Sequence, residues 1–565
     1  MSRGEDRLTR ESRRRAIERM GRNELDILVV GGGITGLGTA LDAASRGLSV
    51  GLVEQGDLAS GTSSRSSKLI HGGLRYLEQL NFGLVREALR ERGLLLDRIA
   101  PHLVTPVPFV LPLRHRIWER AYVGAGVMLY DRLGGARHVP AGRHLSRRGV
   151  RRAAPSLRPD TYVGGIRFWD AQTDDARFAV FVARTALRHG AVIATRVRAD
   201  ELLTDDGAVC GVLATDLETG GRLKIRARHV VTATGAWSGR LGESDRSRLR
   251  PSKGAHLLLP AGAIEADSGL LARTPTGLLF VIPWQGYWLV GDTDSDWSGE
   301  PDAPIASRGD VDTLLGRLNS LLDTTITVAD VLGTFAGIRP LVAADPDADT
   351  TELSREHAIS SPMPGLSTIS GGKYTTYRAM AAQLVDSIAA RSDLHASASV
   401  TDRTPLLGAD GFSAMWENRG ALAETAQLPL PVVERLLRRY GSRLEDLLDE
   451  IERDPSLREH IPGTEVLAAE VRYACTHEGA LHLDDVLDRR THISIQVPHR
   501  GRSTLAAIVA VMRDVLAWSD ADVGRELDAV ERLAQREERA LLSSARSDSD
   551  ETFTSTTRTS KGAPE

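Results

Sequence analysis

Short apolar runs alternate with helical periods through the first part of the chain, and after about residue 393 helical periods stand alone. Residues 25–30 (Leu-Asp-Ile-Leu-Val-Val) form a run of the kind that makes a buried parallel strand, and from Thr35 to Arg46 apolar side chains recur at helical spacing. A second run, 48–53, ends in Glu54. Strand, helix and strand in this order predict a βαβ unit. Residues 81–100 place Leu84, Val85, Ala88, Leu89, Leu94, Leu95 and Ile99 on one helical face, and 101–113 form a proline-interrupted strand region. Residues 165–170 predict a strand, and 173–189 a helix that Thr173 or Asp174 can cap. Strands follow at 191–196 and 197–203, a hairpin pairs 212–219 with 222–228, and 229–237 is a buried strand. Alternating residues and turns over 249–296 predict an antiparallel sheet. The pair Gly371-Gly372 then precedes a helix running to Ala390, and amphipathic helices are predicted at 464–480, 503–518 and 521–542. Residues 543–565 are Ser/Thr-rich without a period, the composition of a disordered tail.

A chain of 565 residues suffices for two or three domains with substantial cores. Its formal net charge of -4 gives no global signal for nucleic acid. Cys210 and Cys475, the two cysteines, form no metal-ligand spacing, so no metal is expected and a reducing compartment fits. No apolar run approaches the roughly 18 to 20 residues of a membrane-spanning helix, and no signal peptide is visible. The expected address is therefore the cytoplasm.

Local charge adds to that picture. Residues 1–23 are Arg-rich and read as a basic, partly helical arm. Arg114, Arg116 and Arg120 stand beside Trp118 and Tyr122, just before the apolar stretch 123–130, and Arg143, Arg147, Arg148, Arg151 and Arg152 follow. Aromatic rings sit at the headgroup level of a bilayer and arginines meet anionic lipid, so the two clusters favour a peripheral seat on an anionic membrane.

Between the first strand and its helix lies Gly31-Gly32-Gly33-Ile34-Thr35-Gly36. Gly31 allows the tight turn, Gly33 lets backbone N–H groups approach a pyrophosphate, and Gly36 lets helix and strand pack closely. Phosphates then sit on the positive end of the helix. An acid at position 54 suits an unphosphorylated adenosine ribose, so FAD or NAD rather than NADP. The polar, small-residue run 57–76 that follows is dense in hydroxyls and suits lying along an extended diphosphate and a flavin ring.

Within that run, Ser-Ser-Lys-Leu-Ile-His-Gly-Gly-Leu-Arg-Tyr-Leu-Glu (66–78), coming after the glycine turn, closely resembles the FAD-dependent, quinone-linked glycerol-3-phosphate dehydrogenases. The resemblance continues through 252–256, 282–284, 291–294, 334–341 and 369–378; it covers most of the span from Asp26 to Arg378, and the remainder more loosely. The family more often carries Thr where Asp292 stands. An α/β fold is implied: a glutathione-reductase/D-amino-acid-oxidase-type FAD-binding βαβ domain, an antiparallel-sheet substrate domain and a C-terminal all-helical domain. The arm would cover 1–23; a discontinuous FAD-binding domain 24–76, 170–240 and 340–392; a substrate and membrane-facing domain 77–169 and 241–339; the helical domain 393–543; and the tail 544–565.

Carried over, the resemblance gives FAD contacts to Gly31, Gly33, Ile34, Thr35, Gly36, Glu54 and Gln55 of the βαβ unit. It adds Thr62, Ser63, Ser64, Ser67, Lys68, Leu69, His71, Gly72 and Gly73 of the polar run, Val197 at the adenine, Thr234 and Gly235 of a second turn, and Gly372, Thr375 and Thr376 beside the flavin. Arg75, Tyr76, Arg339, Arg355 and Lys373 would bind substrate, and His71, His256 and Arg339 would be catalytic.

The implied reaction oxidises sn-glycerol 3-phosphate to dihydroxyacetone phosphate, with hydride to FAD N5 and electrons then to membrane quinone. A phosphate ester carrying close to two negative charges needs planar cationic forks, and the hydroxyl proton needs a base. Histidine, near 6.5 unperturbed, suits that base, and His71 and His256 are both candidates. Expected partners are glycerol 3-phosphate, quinone and an anionic membrane surface, with a possible homodimer and no nucleic acid. The alternatives are a glycerol-3-phosphate oxidase that passes electrons to oxygen and makes hydrogen peroxide, and an amine or amino-acid oxidase of the same fold, which would need a carboxylate clamp instead.

Overall fold

The computed structural model describes residues 6–73, 81–134, 139–241, 249–302, 304–342 and 357–542. Its first sheet has eight strands. At its centre Leu366–Gly371, Arg222–Thr232, Leu25–Val30, Val50–Val53 and Val192–Ala194 lie side by side and parallel. Ile27, Leu28 and Val29 are covered on both faces, which is why this strand reads as a continuous apolar run. Arg222–Thr232 extends past the parallel core to pair antiparallel with Ala208–Asp216, which in turn pairs with Val197–Asp205.

The N-terminal segment, expected as a basic, partly helical arm, is a helix seated on the first sheet. Thr9 caps helix α1 (Arg10–Arg22), accepting from Ser12 N at 2.9 Å, and Ala16 and Met20, one turn apart, are buried against the sheet. Arg13 donates to Thr195 O at 2.7 Å and pairs with Asp216. Two apolar residues at i,i+4 spacing suffice to seat the helix, so this stretch is part of the sheet layer rather than a free arm. Helix α2 (Ile34–Ser45) covers the sheet, with Ile34 and all residues from Gly36 to Ala44 buried.

Helices α3 (Phe82–Leu94) and α4 (Trp118–Gly134) pack on each other through Val85, Leu89 and Tyr130. Helix α5 (Asp175–Arg188) is buried all round from Asp175 to Ala186. It carries two arginines inside, and each is partnered: Arg177 donates to both oxygens of Glu478 at 2.7 and 3.2 Å, and Arg184 to the Tyr473 hydroxyl at 2.8 Å. Helix α6 (Tyr377–Arg391) packs beside α2, where Gly38 leaves room for the Tyr377 ring.

The second sheet has ten strands. Leu249–Pro260 pairs with Gly333–Val342 on one side and Tyr287–Gly291 on the other, and the sheet continues through Gly277–Trp284, Gly269–Thr274, Thr105–Leu113 and Gly164–Gln172 to Leu69–Ile70. The pairs within 249–296 are antiparallel, as expected, and one join to the rest of the sheet, Gly269–Thr274 on Thr105–Leu113, is parallel. Residues 69–70 and 170–172, assigned from sequence to the FAD-binding part, belong to this sheet. The C-terminal region is helical, as expected, but its core is continuous with that of the first sheet: Phe181 of α5, Leu407, Tyr440 and Tyr473 belong to one buried cluster with Leu37 and Val50. No helix among the described residues is long and apolar enough to cross a membrane.

Four buried histidines make the fold sensitive to acid. Burial holds His102 down to about 3, His229 and His256 to about 4, and His477 to about 2. Unfolded, each would titrate near 6.5, so between those values the unfolded chain binds more protons. Their contribution is complete above about pH 6.5 and is lost as pH falls toward 4 and below. The thermal unfolding midpoint is expected to drop between pH 7.5 and pH 5, and His102→Gln, which takes up no proton, should narrow that drop; an equal drop in both proteins contradicts the assignment.

Candidate functional site

At the end of Leu25–Val30 the backbone enters a turn with Gly31 at φ +114°, where a Cβ would stand 2.5 Å from Ala233 O. A Cβ at Gly36 would lie 2.0 Å from Gly31 O. Helix α2 therefore begins directly on the strand, its N-terminus aimed outward, the arrangement that favours a pyrophosphate. Ser63 Oγ accepts from Ile34 N at 2.9 Å, bringing the polar run across the helix start. Glu54 accepts from Gly32 N at 2.6 Å and from Gly56 N at 2.7 Å. Burial pushes this carboxyl up, against those two N–H bonds, which stabilise its charge.

These groups border a cleft of about 440 Å³. Of the residues expected at FAD, Gly31, Gly33, Ile34, Thr35, Glu54, Gln55, Thr62, Ser63, Val197, Thr234, Gly235 and Gly372 line it, and so does Lys373. Arg198, Asp200, Trp237, Arg240 and Pro340 line it as well. Sequence reasoning named none of these five as cofactor contacts: Trp237 and Pro340 lie in stretches it singled out for other reasons, 229–237 and 334–341, while no motif marks Arg198, Asp200 or Arg240. A cleft lined by the glycine turn, the acid after the second strand and the pair Gly371-Gly372 fits an FAD molecule.

Other expected contacts lie off this wall. Gly36 is underneath, in the helix–strand contact. The Lys68 side chain is engaged elsewhere: its ammonium is buried, donates to Asp175 Oδ1 at 2.5 Å and Ser64 O at 2.6 Å, and faces the rings of Phe335 and Trp284 at 5.2 and 5.6 Å. A buried ammonium needs a paired carboxylate, and Asp175 takes that role, so the side chain is spent on structure. Leu69 sits in the second sheet against Gln172. Ser64 Oγ lies 3.4 Å from Gly61 O, and Thr376 Oγ1 donates to Lys373 O at 3.3 Å. Thr375 Oγ1 takes the His71 N–H at 3.2 Å, and Gly72 N–H goes to the Tyr130 hydroxyl at 2.8 Å. Gly73, at φ +76°, follows in the same segment. Arg75, Tyr76 and Arg355 lie outside the described residues.

A second group forms on one face of the second sheet. Leu249–Pro260 and Gly333–Val342 pair with Ser252 opposite Arg339 and His256 opposite Phe335. Side chains two apart share a face, so His256 and Arg339 lie on the same side. His256 stacks on Phe335 at 4.8 Å, and its Nε2 is 2.9 Å from Ser67 Oγ. Burial lowers His256 to about 4, so it is neutral at pH 7. Arg339 departs from expectation: rather than an open fork it pairs with Asp292, lies 3.2 Å from Asp294, and donates to Thr293 O at 3.2 Å. Two carboxylates beside one guanidinium hold it in place before any anion arrives. Gly254 makes room for it, since a Cβ there would lie 2.3 Å from Arg339 Nη2.

A glycine turn at a helix start, a buried acid after the second strand, a cleft bordered by both and a second, mixed sheet fit a two-sheet flavoprotein oxidoreductase. Residues 26–378 match the family model of FAD dependent oxidoreductases, and 399–523 match that of the C-terminal domain of alpha-glycerophosphate oxidase. The chain is 46% identical over 540 residues to Glycerol-3-phosphate dehydrogenase 2 of Mycobacterium tuberculosis, covering 94% of this chain and 91% of that one. It is 35% identical to the mitochondrial glycerol-3-phosphate dehydrogenase of Rattus norvegicus, over 90% of this chain and 73% of that protein. The crystal structure of glycerol-3-phosphate dehydrogenase from Bacillus halodurans complexed with FAD superposes with a TM-score of 0.77 at 28% identity, covering 93% of this chain and 98% of that one. The chain thus belongs to the FAD-dependent glycerol-3-phosphate dehydrogenase family, and FAD is its cofactor.

Gly31→Ala tests the cleft. With a Cβ pressed against Ala233 O and a positive φ, the turn must shift, and purified protein should lose most of its bound FAD, read from flavin absorbance per chain. Full flavin content in this variant counts against the cleft as the FAD site.

Proposed function

We propose that the chain oxidises sn-glycerol 3-phosphate to dihydroxyacetone phosphate and delivers the electrons to a quinone in a membrane, on whose cytoplasmic face it sits peripherally. The observation that carries the substrate is the sheet face shared by Arg339 and by His256, the latter bonded to Ser67, near a cleft lined by Lys373. The names of the 46%-identical relatives agree with it. When bound, FAD supplies the hydride acceptor. Lys373 and Arg339 draw the phosphate. A His256 near 4 suits orienting the substrate hydroxyl better than keeping its proton, so His71 is the base of this reading.

The membrane seat rests on α4. Trp118, Ala121, Tyr122, Ala125, Met128 and Leu129 are exposed at helical spacing, while Val123, Val127 and Tyr130 are buried on the opposite face. Ile117, 84% exposed, extends the apolar face at its start. Next to it the strand Arg143–Ser146 packs His144 against Gly124, and Arg143, Arg147, Arg148, Arg151 and Arg152 are all exposed. An apolar helix face flanked by arginines matches a bilayer with anionic headgroups.

A glycerol-3-phosphate oxidase is the second reading, favoured by the match of 399–523 to the alpha-glycerophosphate oxidase C-terminal domain. Anaerobic mixing of FAD-loaded protein with glycerol 3-phosphate, followed by a quinone analogue or by oxygen, separates the two. Bleaching of the flavin with recovery much faster by quinone supports the proposal, fast recovery by oxygen with peroxide makes the chain an oxidase, and no bleaching removes the substrate.

Arg339→Ala should raise KM for glycerol 3-phosphate roughly tenfold to a hundredfold, the equivalent of one lost charge-assisted hydrogen bond, with bound flavin unchanged. Asp292 and Asp294, left without their cation, would repel the phosphate and push KM the same way. An unaltered KM takes Arg339 out of the phosphate site. Trp118→Ser with Tyr122→Ser should weaken sedimentation with anionic vesicles severalfold; undiminished sedimentation moves the membrane contact elsewhere.

A further inference from the structure

Tyr130 stands where the apolar-faced helix meets the segment that follows the FAD cleft. It is fully buried, although Met128 and Leu129, which directly precede it on the same helix, are exposed. Its hydroxyl accepts the Gly72 N–H at 2.8 Å and points its own proton at Asp170, both of whose oxygens lie 2.9 Å away. From α3, Arg92 donates to Asp170 Oδ1 at 2.6 Å and lies over the Tyr130 ring at 5.5 Å. Leu89 and Tyr130 fill the space a side chain at Gly72 would occupy, with the nearest atoms 2.4 and 2.8 Å from its Cβ. On the other side, Thr375 accepts the His71 N–H at 3.2 Å.

His71 and Gly72 are thus held from two directions. Thr375, just ahead of α6, ties them to the FAD-binding layer, and Tyr130 ties them to α4. A buried N–H must have a partner, and here the partner is a side chain rather than a sheet neighbour. The helix that provides it carries the membrane-facing surface on its other side. Packed helices move as rigid bodies, so a shift of the outer face carries the Tyr130 hydroxyl with it.

We propose that Tyr130 is a positioning residue that links the seat of α4 on a lipid surface to the placement of His71 and Gly72 against flavin and substrate. The link rests on the membrane reading above. Lipid contact fixes α4, the Tyr130 hydroxyl fixes Gly72, and the enzyme on a membrane binds substrate better than the same enzyme in solution. Burial keeps the Tyr130 hydroxyl protonated and so able to hold Asp170.

The test compares FAD-loaded parent and Tyr130→Phe with and without vesicles of phosphatidylglycerol and phosphatidylcholine. Sedimentation, the flavin absorbance spectrum, and KM and kcat for glycerol 3-phosphate are read for each. Expected are equal sedimentation of both proteins, a shifted flavin spectrum and a fall of at least threefold in KM for the parent on vesicles, and neither change for Tyr130→Phe. If both sediment and both respond alike, the link through Tyr130 is overturned and the membrane reading stands. If the parent does not sediment, the membrane reading falls and takes the link with it. If the parent sediments with no change in spectrum or KM, the link is overturned as well. Should Tyr130→Phe fail to retain FAD, Asp170→Asn, which keeps an acceptor for the hydroxyl but weakens its anchor, is expected to reduce the vesicle response by at least half; a full response overturns the proposal.

Discussion

Gly36 and Gly31 touch backbone to backbone, and this contact sets everything that follows. Because Gly36 carries no Cβ, the first turn of α2 lies directly on the strand end, and the positive end of the helix borders the cleft. Glu54 then fastens the turn from the next strand through Gly32 and Gly56, and Ser63 caps Ile34 from the polar run. Each of these bonds satisfies a donor whose orphaning would cost roughly 1–3 kcal/mol. The cleft is thus built from backbone groups held rigid before any cofactor arrives.

The C-terminal helices grip the same region from behind. Asp57, three residues past Glu54, is buried and accepts from Arg489 Nε at 2.5 Å and from Arg490 at 2.7 and 2.8 Å. Arg489 also reaches Asp485, which pairs with Arg196 at 2.6 Å, next to Val197 of the cleft. Buried ion pairs add little net stability, but removing one partner costs on the order of 3–5 kcal/mol. Their effect is to fix one docking geometry. The helical block is therefore part of the cofactor site's foundation, not an appendage.

Between these layers runs the segment from Asp57 to Gly73. It leaves the C-terminal clasp at Asp57, crosses the helix start at Ser63, buries Lys68 on Asp175, joins the second sheet at Leu69 and Ile70, and ends between Thr375 and Tyr130. One stretch of small polar residues meets every layer of the molecule. Its hydroxyls and N–H groups supply partners to the other elements: Thr62 bonds Ile338, Ser66 bonds Asp175, Ser67 meets His256, and the His71 and Gly72 N–H groups go to Thr375 and Tyr130.

Much of this was legible in the sequence. The glycine turn, the acid at position 54, the apolar run of the first strand and the helical periods beyond residue 393 specify the cofactor fold, since each depends on local spacing: a turn, a strand face or a helix stripe. The family resemblance added the likeness of 66–78 and 369–378, and with it FAD. What the sequence could not decide depends on pairs far apart in the chain. Lys68 read as a cofactor contact, and its ammonium goes instead to Asp175, 107 residues on. Arg339 read as an open cation, and Asp292 and Asp294 surround it only because two distant strands pair in one register. The N-terminal arm, already read as partly helical, is seated on the sheet through Ala16 and Met20, whose burial needs a surface the first 23 residues do not contain. Local order follows from spacing along the chain; the charge state and availability of each polar side chain follow from which partner tertiary packing brings within hydrogen-bond reach, and only the folded structure decides that.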